Sequence, residues 1–198
     1  YDAARRARFH EDLAQALTAI PGITAAGGTS RLPSSGSFHP WPLYVQTGPL
    51  ADTRIPQPDP EHRTVSGEFF KALSIPVLAG RTFDQRDDLN APMRAVISAN
   101  LARMAFPGMP LDDVIGQRIG VLVRRNTREI IGVVGDATTD VYGKPTAAVY
   151  SSHRQFAGNR NWALTQVVAS DVPSESIFPA VRAAVAAMDP ELVVHRAG

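Results

Sequence analysis

Apolar residues recur at helical spacing from Ala4 to Ile20, with Phe9, Leu13, Leu17 and Ile20 on one face. Arg5, Arg8, Glu11, Asp12 and Gln15 fill the others. Pro21-Gly22 stops that helix. Burying its four apolar side chains contributes about 1.5–3 kcal/mol each, a sum comparable to the net stability of a whole domain, so the helix is expected to lie on a sheet. Ile23 to Thr29 then reads as a strand, Arg31 to His39 as a Ser/Gly/Pro loop and Trp41 to Thr47 as a second strand or hairpin partner. Gly48 to His62 carries four prolines and reads as an irregular connector, the best place for a lobe boundary.

The middle of the chain alternates short elements. Arg63 to Ser66 reads as a strand, Gly67 to Leu73 as a helical turn carrying Phe69 and Phe70, and Val77 to Phe83 as extended chain around Gly80. A polar loop from Asp84 to Pro92 leads to a buried strand at Ala95 to Ser98. A helix from Asn100 to Phe106 follows, ended by Pro107-Gly108. Ile119 to Val123 and Glu129 to Val134 have the length and branching of paired strands, and Ala147 to Tyr150 of another. The last section predicts a strand at Thr165 to Ala169 and a helix over Ser174 to Met188 with Ile177, Val181, Val185 and Met188 on one face. A final strand is expected at Glu191 to His195. Pro179 fits that helix if Ser176 is its N-cap, since the first turn needs no internal N–H bonds.

A chain of 198 residues has room for one large domain or two small lobes. Its net charge of +1 gives no electrostatic reason to expect nucleic acid or an anionic surface as partner. It has no cysteine, which excludes disulfides, thiolate metal sites and cysteine nucleophiles. No run approaches the roughly 20 apolar residues that span a bilayer.

The candidate chemistry is thin. His10, His39, His62, His153 and His195 show no spacing that brings metal ligands together. Ser34-Ser35-Gly36-Ser37 lacks the strand–elbow–helix setting of a serine nucleophile and reads as a flexible loop. Gly132-Val133-Val134-Gly135-Asp136 has the wrong spacing for a phosphate loop. Gly132 reads as close packing or a bulge, and Gly135-Asp136 as a strand-ending turn. Asp84, Asp87 and Asp88 lack the glycine and distal glutamate of a calcium loop and read as a solvated acidic loop, and Asp112-Asp113 as a cap. Arg81, after a strand-ending glycine, is expected to hold backbone carbonyls or a carboxylate such as Asp84 or Asp136. No catalytic, cofactor-binding or metal-ligating residue is assigned.

Several short motifs occur in one order: Ile20-Pro21-Gly22-Ile23, Val65-Ser66-Gly67-Glu68-Phe69-Phe70, Gly80-Arg81-Thr82-Phe83, Ala95 to Ser98 with Phe106-Pro107-Gly108, Ile115-Gly116, Ile131 to Asp136, Ala148-Val149-Tyr150 and Asp189-Pro190. In that order they resemble the periplasmic core domain of MacB-type ABC transporter permeases of the FtsX-like group, most closely large permeases with two such domains. Ser74 and Ser98 depart from the family's usual glycine and asparagine.

The resemblance implies a two-lobed α+β fold. A ferredoxin-like, porter-type lobe would be built from residues 1–61 and 151–198, with a mixed α/β lobe of residues 62–150 inserted. It implies a non-catalytic domain on the periplasmic side of the inner membrane, coupling ATP-driven helix movement to export or extraction. The partners it implies are a separate ATP-binding subunit or domain and a second permease copy or second periplasmic domain. The family places a membrane helix and a leading strand before the first helix, so an unpaired sheet edge is expected in the lobe made by the chain ends. The competing readings are a free-standing periplasmic ligand- or peptide-binding module, taking a strand at an open sheet edge, and a hydrolase, for which no convergent Ser/His/Asp set can be assembled.

Overall fold

A computed structural model of the protein describes residues 3–33, 39–55, 59–137, 146–156, 164–192 and 194. Helix α1 (Ala3–Thr18) leads into β1 (Ile23–Thr29), then β2 (Leu43–Val45) and β3 (Glu61–Gly67). The middle runs α2 (Phe69–Ala72), β4 (Val77–Gly80), β5 (Arg94–Ser98), α3 (Ala99–Ala105), α4 (Leu111–Val114), β6 (Arg118–Val121) and β7 (Thr127–Val134). The chain closes with β8 (Ala148–Ser152), α5 (His153–Phe156), β9 (Thr165–Ser170) and α6 (Ser174–Met188).

The fold is α+β; among the described residues it is built on one mixed sheet of nine strands in the order β2-β6-β7-β5-β8-β3-β1-β9, with β4 also on β7. β3 pairs parallel with β8 and β5 parallel with β7; the other ladders are antiparallel. β7 carries two strands end to end on one edge: β6 takes Thr127 to Glu129 and β4 takes Gly132 to Val134.

Period-2 alternation sorts the core onto two faces. Ala95 and Ile97 of β5 and Val149 of β8 face one way, into a cluster with Leu101, Ala105 and Phe106. Val96 and Tyr150 face the other, against Phe69 and Phe70 of α2. On β7 the rhythm breaks, because Ala95 pairs with Ile130 but Val96 with Gly132. That bulge puts Ile130 and Val133 in the first cluster and Ile131 and Val134 in the second. Gly132 is therefore both the bulge and the close packing its sequence suggested: a Cβ there would lie 2.0 Å from the Arg81 carbonyl oxygen.

At the other end of the sheet α1 and α6 share a smaller cluster of Leu13, Leu17, Ala26 and Val185, joined by Phe9, Ile20, Val168, Val181 and Met188. The helical faces read from the sequence thus meet as expected. Among the described residues β9 is paired on one side only, by β1.

The structure departs from the sequence reading in several places. The N-cap of α6 is Pro173, not Ser176, so Pro179 lies inside the helix; a largely solvent-facing helix tolerates the lost bond better than a buried one. Pro110 caps α4, and Asp112 and Asp113 sit in its first turn without capping, where their charge suits the helix N-terminus. Short helices α4 and α5 carry no apolar period that sequence could show. β2 pairs with β6 and not with β1, because Leu43 and Val45 are buried in the large cluster. The connector after it is irregular but anchored, by a Tyr44–Arg54 bridge and by Ile55 N–H donating to Leu43 O at 2.8 Å. The strand expected at Glu191 to His195 does not form over Glu191 and Leu192, which follow a turn; Val193 and His195 lie outside the described residues.

Replacing Gly132 by alanine is expected to cost about 3 kcal/mol of stability, since backbone must shift to admit the methyl. Gly108→Ala, at φ 75° with open space around it, is expected to cost only about 1 kcal/mol from backbone strain. Urea unfolding of the two variants checks the difference.

Candidate functional site

β4 ends at Gly80, whose φ of 67° turns the chain so that Arg81 N–H donates to Ile131 O at 2.9 Å. The Arg81 guanidinium then reaches forward. It donates to both Asp87 carboxylate oxygens, at 2.6 and 3.0 Å, to Asp84 at 3.2 Å and to Thr82 O at 3.0 Å. Asp136, the other carboxylate considered for Arg81, instead accepts from Asn100 N–H at the start of α3 and from Arg103 in its last turn.

Asp87 is buried, so the loop it sits in is not the solvated acidic loop that its composition suggested. Burial opposes its ionisation, but the Arg81 fork and the Asp84 amide outweigh that and hold its pKa below the usual carboxylate range. Hydrogen bonds from Arg86 hold Asp84 lower still. Asp88 accepts from Asn90 and Ala91 N–H. From behind, Ser152 donates to Asp87 O, and Gln155 of α5 donates to Asp88 O and Pro92 O while accepting from Arg94 N–H. Residues 81–92 are thus braced, and they hold Phe83 and Asp84 as one wall of a groove.

That groove, of about 600 Å³, is enclosed by elements far apart in sequence. Ala14, Gln15 and Thr18 of α1 form the opposite wall, Val65 and Ser66 of β3 with Phe70 of α2 the floor, and Ser152 to Arg154 one end. It continues past α2 into a second hollow that shares Glu68, Phe70 and Phe83 and ends at Ile75 and Pro76. Two contacts tie α1 to α5 at its rim. Arg154 donates to the Glu11 carboxylate, and the rings of His10 and His153 meet edge-on at 4.8 Å. Burial raises the pKa of Glu11 against the opposing pull of Arg154. Burial, with His153 adding, lowers that of His10 to about 4.

A second polar group lies inside the sheet. The imidazole of His62 stacks on Trp41 at 3.9 Å and shares a hydrogen bond with Ser151 Oγ at 2.8 Å, to which Arg128 also donates. Burial, then the Arg128 charge, hold His62 well below its ordinary pKa, and burial lowers Arg128 to about 10. The structure therefore brings a histidine and a serine together, but Ser151 is fully buried and its oxygen is engaged by both neighbours. The arrangement braces adjacent strands. His39 lies at the surface beside Trp41, and Ser34 to Ser37 and His195 lie outside the described residues. Among the described residues no three His, Asp or Glu side chains converge as metal ligands would.

Sequence reading singled out Arg81 but not Glu11, Glu68 or Arg154. Glu11 and Arg154 stand 143 residues apart, so no local spacing could pair them.

His10 and His62 have folded pKa values below the unfolded value of about 6.5. The unfolded chain therefore binds more protons as pH falls, and their contribution to stability, complete above about pH 6.5, is lost toward pH 4. The urea midpoint is expected to drop across that window, and to drop less in His10→Gln; a midpoint flat from pH 7 to 4.5 would contradict the burial of both rings.

Comparison with known proteins agrees with this geometry. The periplasmic region of MacB from Actinobacillus actinomycetemcomitans superposes with a TM-score of 0.59 at 13% identity, covering 89% of this chain and 72% of that one. The extracellular domain of the noncanonic ABC-type transporter YknZ from Gram-positive bacteria gives 0.54 at 15% identity, over 85% and 75%. A permease-protein domain from Porphyromonas gingivalis gives 0.54 at 18%, over 90% and 77%. No curated protein sequence matches the chain. The family model for the MacB-like periplasmic core domain matches residues 2–188, nearly its whole length. The chain therefore belongs to the MacB-like periplasmic core domain family and is a periplasmic domain of an ABC transporter permease.

Proposed function

We propose that this domain is a non-catalytic coupling element, which transmits ATP-driven movement of membrane helices to the export or extraction of a substrate. The observation that carries the reading is the family match over residues 2–188. The engagement of the polar groups most open to a chemical reading also favours it: His62 and Ser151 are buried on each other, and buried Asp87 is held by the Arg81 guanidinium. In this reading ATP is bound by a separate subunit or domain, and the domain works against a second permease copy or a second periplasmic domain.

The sheet would act as two units, residues 1–61 with 151–198 and residues 62–150. Support comes from the separate cluster shared by α1, β1 and α6, and from the short β1–β3 ladder of Gly27 to Thr29 that joins this end to the rest. β2 crosses from the first unit to pair with β6 and would tie the two together. Rigid-body rotation about such a seam is an established way of passing motion between domains.

The reading is tested in the full-length permease with its ATPase, carrying nitroxide labels at Arg125→Cys and Arg182→Cys. Both positions are exposed, and this chain has no other cysteine. The label-to-label distance distributions are expected to differ between the nucleotide-free and vanadate-trapped states. Identical distributions in the two states would overturn the coupling reading.

The binding-module alternative is favoured by one observation, the groove beside α1, whose occupancy is a separate question from coupling.

A further inference from the structure

The polar side chains around the groove beside α1 are engaged with one another or with the backbone. Glu11 is gripped by Arg154, Glu68 pairs with Lys71 at 3.1 Å, and Asp84 accepts from both Arg86 and Arg81. Arg81 also serves buried Asp87, so these four carboxylates meet four cations and neither sign is in excess. The hydroxyls are turned inward as well. Thr18 donates to Ala14 O at 2.8 Å, Ser66 Oγ accepts from Gly28 N–H, and Ser152 donates to Asp87 O. A charged or hydrogen-bonding ligand would break one such contact to gain another, with little net return.

What the groove offers without that exchange is apolar. Ala14, Ala26, Val65, Phe70 and Phe83 line a space of about 600 Å³, within the range of about 300–1,000 Å³ of small-molecule sites. Past α2 it runs into the second hollow, of about 620 Å³, which shares Phe70 and Phe83 and adds Ile75, Pro76 and Val77. Val77, at the far end, leaves 47% of its surface uncovered. The two hollows form one bent, elongated trough. A flexible hydrocarbon chain can follow such a path, whereas a rigid ring system fills one hollow only.

We propose that this trough binds the alkyl chain of a monomeric single-chain amphiphile. The hydrocarbon lies over Val65, Phe70 and Phe83 toward Val77, and the head group stays in water at the open rim. With its polar groups already paired, the site reads the length of the chain and is indifferent to the charge of the head.

Octyl maltoside, decyl maltoside and maltose are titrated into the 198-residue chain, below the critical micelle concentrations, by calorimetry and by amide shift mapping. No membrane or nucleotide is present, so failure here leaves the coupling reading untouched. Decyl maltoside is expected to bind at sub-millimolar concentration with shifts centred on Ser66, Phe70, Val77 and Phe83, and maltose not to bind. Each added methylene is expected to tighten binding by up to about fourfold. Decyltrimethylammonium is expected to match decyl maltoside within about threefold, because the rim has no charge to spare. Thr18→Trp, which fills the trough from an exposed position on α1, and Val77→Asp, which places a charge at its far end, are each expected to weaken decyl maltoside binding about tenfold or more. Both sites are exposed, and unchanged circular dichroism confirms that the variants fold. Absence of decyl maltoside binding, shifts centred outside the trough, equal affinity for the two chain lengths, a preference of about tenfold for the cationic head, or affinity unchanged in both variants overturns the proposal. So does co-sedimentation with phosphatidylcholine vesicles, or binding of a Leu/Ser peptide, without decyl maltoside binding. The first would assign the surface to a bilayer and the second to a protein partner.

Discussion

The absence of a side chain at Gly132 is the constraint from which the functional face is built. β7 carries β5 along one edge and must carry both β6 and β4 along the other, and the chain leaving β4 crosses it where the Arg81 carbonyl sits against the bare Cα. Any Cβ would push that crossing outward. With it would go the Arg81 fork, the Asp87 carboxylate beneath and the wall that carries Phe83. The bulge at the same residue switches the faces of β7 mid-strand, which lets one strand serve two separate apolar clusters. Local backbone geometry at Gly132 thus fixes a wall built from residues about fifty positions earlier in the chain.

A second constraint concerns polarity. β3 is a central strand, buried from Glu61 to Val65, yet four of those five residues are polar. Burying such groups is costly unless each finds a partner. Partners come from within and beside the strand: Glu61 pairs with Arg63 at 2.6 Å inside β3, His62 meets Ser151 of β8, and Thr64 N–H donates to Ser30 Oγ just past β1. The Glu61–Arg63 pair lies within one strand and adds little net stability compared with an apolar pair, whereas His62–Ser151 joins β3 to β8, so a shifted register strands buried polar groups there. In a mixed sheet with parallel and antiparallel neighbours, that penalty helps choose a single alignment.

Much of the architecture was legible in the chain because it is written in local pattern. The apolar faces of α1 and α6, the β6–β7 pair, the strand at Val96 and the Gly132 bulge all follow from spacing, branching and glycine placement, and the structure realises each. The groove was not legible. It joins α1 to α5 through Glu11 and Arg154 and depends on which strands become neighbours, information that no local period carries. The same holds for Asp87. Its neighbours in sequence are polar and suggested solvent exposure, whereas Arg81, Ser152 and Gln155 arrive from elsewhere to enclose it. Conversely Pro179 points in the sequence to a helix start at Ser176, whereas α6 begins at Ser174 and accommodates the proline within its body.

The β1–β9 ladder has a consequence for how the molecule comes into being. Ile23 pairs with Ser170, so β1 cannot complete its partnerships until the chain as far as residue 170 has emerged. Contacts of such wide sequence separation are slow to form and leave unpaired edges waiting in the meantime. Helix α1 and β1 therefore spend synthesis and translocation with their apolar faces uncovered, and escort by chaperones during that interval is a demand set by topology itself.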